Sequence, residues 1–144
     1  QTVLLVDLDL RTPSVHATLG IDITKGIVDH LLRDEPIENI LINPGYPRLV
    51  VLPGLPQGRY SSEILTSSKM KSFMTDITSR YPDRIIIFDL PPLLRNDDAI
   101  VFVPNVDACL FVVEDGATKP EDIERSMQLL KHSQLIGTVL NKAR

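Results

Sequence analysis

Three acidic side chains sit where this sequence could carry out chemistry. Two of them, Asp7 and Asp9, close the first apolar run in Val3-Leu4-Leu5-Val6-Asp7-Leu8-Asp9-Leu10-Arg11. In an extended chain residues 7, 9 and 11 project to one side, because side chains alternate along a strand. Two carboxylates and a guanidinium then share one rim. Adjacent carboxylates repel and draw a cation, and Mg²⁺, a hard ion bound through oxygen, suits them. The same segment also reads as a solvated turn in which Asp9 pairs with Arg11. The third acid, Asp89, follows Ile85-Ile86-Ile87-Phe88 and precedes Leu90-Pro91-Pro92. An acid ending a buried strand is the Walker B arrangement, whose carboxylate holds Mg²⁺ beside nucleotide phosphates. An ordinary strand end, with Asp89 capping the next turn, fits those residues as well. The two clusters together say more than either alone.

A phosphate site of this kind also needs the loop G-x-x-x-x-G-K-[ST], whose backbone N–H groups cradle the phosphates. The glycines stand at 20, 26, 45, 54, 58, 116 and 137, and none begins such a run. This stretch of chain has no phosphate cradle of its own.

The elements that must position these acids follow from hydrophobic patterning. Val3–Val6, Leu49–Leu52, Ile85–Phe88, Ala108–Val113 and Ile136–Leu140 are short apolar runs without alternation, the pattern of strands buried on both faces of a parallel sheet. Helical spacing lies between them. A short helix starts near Gly26, with Ile27, Leu31 and Leu32 on one side. Ser68 to Tyr81 carries Met70, Phe73, Met74 and Ile77 at spacings of three and four, and Pro82 ends it. Pro120 to His132 opens with proline, Glu121 and Asp122, which suit a helix N-terminus, and turns Ile123, Met127 and Leu130 inward. Strands alternating with helices predict an α/β fold with a mostly parallel sheet. Pro53 to Ser62 is a loop after a strand, on the edge where such sheets bind ligands.

The 144 residues are enough for one globular domain. An apolar fraction of 43% with 24% charged residues is that of a folded soluble protein. A net charge of -4 argues against a nucleic-acid partner. One cysteine, Cys109, permits no internal disulfide and fits a reducing compartment. It lies in a strand pattern, where an inert core thiol is expected. Every apolar run falls well short of the ~20 residues of a membrane span. No basic segment precedes the first apolar run, so no secretory leader is expected. His16, His30 and His132 read as structural or surface histidines. Arg48, Arg80 and Arg84 read as surface cations, whereas Arg59, in the loop after the second strand, could reach a substrate or a neighbouring subunit.

Val3 to His16 closely resembles the Walker A-prime segment of the bacterial tyrosine kinases of capsule and exopolysaccharide synthesis, relatives of the Min/Par ATPases within the P-loop class. Ile85 to Pro92, including both prolines, is similar to their Walker B segment. Leu52-Pro53-Gly54, Ser61-Ser62-Glu63-Ile64-Leu65, Asp97-Asp98-Ala99, Val112-Val113-Glu114-Asp115-Gly116 and Gly137-Thr138-Val139-Leu140-Asn141-Lys142 continue the likeness in the family's order.

This resemblance implies a Rossmann-like P-loop NTPase sheet with helices on both faces. Residues 1–144 would form a single α/β domain, the C-terminal portion of a P-loop kinase or ATPase domain whose phosphate loop lies upstream. By family position Asp7 helps deprotonate the attacking tyrosine, Asp9 and Asp89 are the magnesium residues, Asn141 lies near the adenine, and Arg11 contacts phosphate or an acidic group. The implied cofactors are ATP and Mg²⁺. The implied substrate is a tyrosine-bearing protein, the kinase itself in trans, and homo-oligomers are implied too. An inner-membrane polysaccharide co-polymerase is the implied activator, holding a cytoplasmic domain at the membrane. The family's tyrosine-rich tail has no match, since Tyr46, Tyr60 and Tyr81 are scattered. With neither P-loop nor tail, the chain alone is expected to be inactive. The competing expectations are a Min/Par-type positioning ATPase and a non-enzymatic regulator of polysaccharide export.

Overall fold

The computed structural model describes residues 1–80 and 82–143. The chain divides into two compact units, Gln1–Pro91 and Pro92–Arg144.

In the first unit β1 (Thr2–Asp7) is the central strand of a three-stranded parallel sheet, flanked by β2 (Leu49–Leu52) and β3 (Arg84–Asp89). Helices α1 (Val15–Thr18) and α2 (Ile27–Arg33) join β1 to β2, and α3 (Ser61–Leu65) and α4 (Ser68–Arg80) join β2 to β3. Leu4, Val6, Leu8 and Leu10 meet Ile27, Leu31, Ile40, Leu52, Leu65, Met70, Phe73 and Ile77 in a core from which water is almost fully excluded. Each such side chain contributes about 1.5–3 kcal/mol of burial, which is what pins β1 in place.

The second unit pairs β4 (Cys109–Glu114) with β5 (Leu135–Asn141), also in parallel. Helix α5 (Asp98–Phe102) precedes β4, and α6 (Pro120–Leu129) crosses from β4 to β5. Pro120 opens α6 with Glu121 and Asp122 in its first turn. All five expected strands are therefore present, within a residue or two of their expected bounds.

The burial expectations need correction. β3 alternates, with Ile85 and Ile87 47% and 48% exposed, and Ile136 of β5 is 67% exposed. β1 and β2 come nearer the expected pattern, with Leu4, Val6, Val51 and Leu52 buried and their neighbours partly covered. Leu32 faces solvent at 53%, while Val28 and Asp29 face inward in its place. On a helix with a step of about 100°, Leu31 falls between Ile27 and Val28, and Leu32 lies at the edge of that apolar arc and faces solvent. Met74 is half-buried beside buried Met70, Phe73 and Ile77. At α6 Leu130, its C-cap, is buried as expected, but Ile123 and Met127 are only partly covered and Ser126 is buried between them. Tyr81, the expected last residue of α4, lies outside the described residues. Among the described residues no helix is long and apolar enough to cross a membrane.

Candidate functional site

The site begins with register. β1 and β3 run in parallel with Val6 beside Phe88 and Asp7 beside Asp89, so two carboxylates end adjacent strands in one row. The ladder continues one step further, where the Leu8 N–H donates to the Asp89 carbonyl at 2.9 Å. Four apolar residues precede each acid; β1 packs into the core, β3 is only partly covered, and both acids stand at the C-terminal edge.

Beyond Asp7 the chain does not stay extended. Strand β1 ends there, and residues 9, 11 and 12 fold into a turn around the Asp9 carboxylate. Its Oδ1 accepts the N–H groups of Arg11 at 3.2 Å and Thr12 at 2.9 Å, and its Oδ2 accepts the Thr12 hydroxyl at 3.0 Å. Short acidic side chains compete for nearby backbone N–H groups in this way and halt a strand. The expectation that residues 7, 9 and 11 line one side of a strand is therefore replaced by a turn. Leu8 and Leu10 stay fully buried, while Asp9 and Arg11 are partly exposed.

Asp7 is fully buried. One carboxylate oxygen accepts the Asp9 N–H at 3.1 Å; the other accepts those of Ser14 at 3.0 Å and Val15 at 3.1 Å. One side chain thus closes a loop of eight residues and seats the start of α1. Burial pushes its pKa up, the three backbone donors pull it down, and the Asp9 charge adds a smaller upward push. No donor among the described residues reaches the Asp89 carboxylate. Its pKa is raised by desolvation first, then by the charges of Asp7 and Asp9.

This donor set is suited to magnesium. Mg²⁺ uses one or two carboxylates and takes its other ligands from water and phosphate. Among the described residues no group of three or more acidic, histidine or cysteine side chains forms a self-contained metal cage. An exposed carboxylate whose proton affinity is raised partly by neighbouring negative charge is the kind of group a divalent cation relieves.

The loop after β2 completes the edge. Gly54 lies against Asp7 and Pro13, and the Gln57 N–H donates to the Leu10 carbonyl at 2.6 Å. In sequence Gly54 belongs to a Pro-Gly loop and to the family likeness without a role of its own; only the fold shows what it touches. Arg59 stacks over the Tyr60 ring at 5.2 Å and is exposed.

Asn141 belongs to the second unit. It ends β5 opposite Glu114; its side-chain oxygen accepts the Lys142 N–H at 2.9 Å and its carbonyl accepts that of Asp115. Cys109 is partly buried, and that burial pushes its thiol pKa up, as expected of an unreactive cysteine.

The sequence matches no family model. Tyrosine-protein kinase YwqD of Bacillus subtilis (strain 168) is 30% identical over 143 residues, a span that covers 98% of this chain and 60% of YwqD. Succinoglycan biosynthesis transport protein ExoP of Rhizobium meliloti (strain 1021) is 29% identical over 145 residues, covering 96% of the chain and 18% of ExoP. Among solved structures, the kinase domain of Escherichia coli tyrosine kinase ETK superposes with a TM-score of 0.85 at 25% identity, over the whole of this chain and 58% of that one. The septum site-determining protein MinD of Pyrococcus horikoshii, complexed with Mg-ADP, superposes with a TM-score of 0.73 at 22% identity, over 96% of this chain and 57% of its own. The chain thus spans less than two thirds of each of these proteins. Its homologues are the bacterial tyrosine kinases, and its fold is the parallel α/β architecture of the P-loop NTPases.

Proposed function

We propose that the natural protein containing this chain is a Mg-ATP-dependent tyrosine autokinase of exopolysaccharide assembly, and that residues 1–144 are the part of its P-loop domain that carries the acidic strand ends. The observation that supports this reading best is the row formed by Asp7 and Asp89 on neighbouring strands, with Asp9 two residues beyond. The homology to tyrosine kinases supplies the reaction class.

In the proposed reaction a tyrosine Oη attacks the γ-phosphorus, its bond to the leaving ADP oxygen breaks, and the phenolic proton leaves. Asp7 takes that proton; its burial raises proton affinity and its three N–H partners fix its orientation. Asp9 and Asp89 are the carboxylates that would hold Mg²⁺, which supplies charge neutralisation to the phosphates. Arg11 adds a cation at the same edge, and Asn141 is the residue that, by its family position, would contact the adenine. The chain alone has no G-x-x-x-x-G-K-[ST] run, so it binds Mg-ATP weakly; micromolar binding by calorimetry would overturn that. We place the protein in the cytoplasm as a homo-oligomer, held at the membrane by a polysaccharide co-polymerase.

The test is transfer of label from γ-labelled ATP to tyrosine in the natural protein. Asp9→Ala and Asp89→Ala should each lower transfer by about a hundredfold or more. Intact transfer in both variants would sink the site assignment. The likeness to MinD supports a second reading, a Min/Par-type positioning ATPase. ATP hydrolysis with no label on tyrosine would decide for it.

A further inference from the structure

The loop after β2 presses glycine backbone against the Asp7 carboxylate, and a second glycine backs it. A Cβ on Gly54 would stand 2.9 Å from the Asp7 carbonyl oxygen, 3.0 Å from Pro13 Cβ and 3.3 Å from Asp7 Cγ. Two of these three neighbours belong to the backbone and carboxyl carbon of a fully buried residue, and the third to a ring that cannot rotate away. None can yield without moving Asp7 or the loop that Asp7 closes. On its other side the loop rests on Gly26, where a Cβ would stand 2.8 Å from the Pro53 carbonyl oxygen, 2.9 Å from Leu55 Cγ and 3.1 Å from the Gly54 carbonyl carbon.

Neither glycine is there for its backbone freedom. Gly26 has φ −146°, open to any residue, and Gly54 lies outside the left-handed region. Both are there because a side chain has no room. The layer beneath them is firmly held. Asp29 Oδ2 accepts the Gly26 N–H at 2.8 Å, and the Ile27 N–H donates to the Pro53 carbonyl at 2.8 Å. The start of α2 is thereby fixed against Pro53, and Pro53-Gly54 is fixed against Asp7. A close-packed interior passes on a displacement of a few tenths of an ångström rather than absorbing it.

We propose that Gly54, backed by Gly26, is a positioning residue that sets where the Asp7 carboxylate stands at the sheet edge. The inference rests on the proposed kinase reaction only for what that carboxylate does; the packing that fixes it stands by itself.

The experiment is Gly54→Ala, read first by amide hydrogen exchange in this chain. The Ser14 and Val15 amides donate to Asp7 and report its place directly. Their exchange should quicken about tenfold or more, while Leu4 and Val6 in the core of β1 keep their protection. Unchanged Ser14 and Val15 protection in the folded variant overturns the proposal. So does an even loss across loop and core, which marks a merely structural glycine. In the natural protein the same variant should lower kcat for tyrosine phosphorylation about tenfold and move the KM for Mg-ATP less than about twofold. If exchange changes locally but the unsubstituted protein labels no tyrosine, the kinase reading fails and the positioning role stands. Should Gly54→Ala not fold, Gly26→Ala decides. It pushes on the loop from the far side without touching Asp7, and it must loosen Ser14 and Val15 selectively or the proposal falls.

Discussion

Asp7 and Asp89 occupy one row of the same sheet and carry the same chemical group, but their surroundings differ. Asp7 ends the central strand, is fully buried, and spends its carboxylate on three backbone N–H groups from its own loop. Asp89 ends a flanking strand, faces solvent, and has no donor among the described residues. The difference comes from the residues that come next in the chain. After Asp7 the backbone doubles back through Asp9, Thr12 and Pro13, so that N–H groups return to the carboxylate. Soon after Asp89 come two prolines, which have no N–H to offer. One carboxylate is held in place by the edge it builds and the other is left open on it. Neighbouring acids can thus differ in how firmly the backbone orients them.

The largest test of this contrast is Asp7→Ala, which leaves the buried Val15 N–H without its acceptor and frees the Ser14 N–H above it. Urea denaturation should show a loss of roughly 2–4 kcal/mol, with a smaller loss for Asp7→Asn, whose amide oxygen still accepts. A cost no greater than that of Asp89→Ala would break the comparison.

A smaller effect, opposite in sign, is expected at Asp89. Both carboxyls have native pKa values above the ordinary 3.8. The native state therefore binds their protons more tightly than the unfolded chain does. That contribution to stability is fully present below 3.8 and is lost as pH rises through the raised native values. Asp89→Asn removes one of the two charges, so the variant should gain stability over the parent progressively as pH climbs from 3.8 toward neutrality. Denaturation midpoints across that range would show it; a gap that does not widen with pH would refute the repulsion.

The smallest effect is expected at Asp34, an exposed carboxyl that serves as the reference. Lys69, by hydrogen bond and then by charge, lowers its pKa below 3.8. Its stabilisation is present above 3.8 and fades as pH falls through the lowered value, the reverse of Asp89. Lys69→Ala should leave the midpoint within error of the parent, and added salt should erase any remainder.

How much of this was legible in the sequence depends on range. The four-residue apolar runs ending in Asp7 and Asp89 marked two strands and their polar ends, because the strand preference of consecutive apolar, mostly β-branched residues is written locally. The Asp9 turn was only half legible: the spacing allowed either an extended rim or a turn, and Thr12 and Pro13 decided between them. Leu32 was misplaced because a short helix does not show which edge of its apolar arc meets the core. The exposure of Ile85 and Ile136 could not be read, since identical apolar runs serve faces that are covered and faces that are not. The roles of Gly26 and Gly54 were invisible for another reason. A glycine kept for lack of space looks no different in sequence from one in any loop.

The sequence by itself determined the strand and helix alternation, the two acidic strand ends, and the homology to the bacterial tyrosine kinases, because these rest on local composition and order. Only the tertiary structure decided that Asp7 and Asp89 share a row, that three amides converge on one of them, and that glycine backbone limits where it stands. Those facts arise from strands paired across a long stretch of chain and a loop returning from a third strand. Register and close contact are properties of neighbours in space, which no local pattern records.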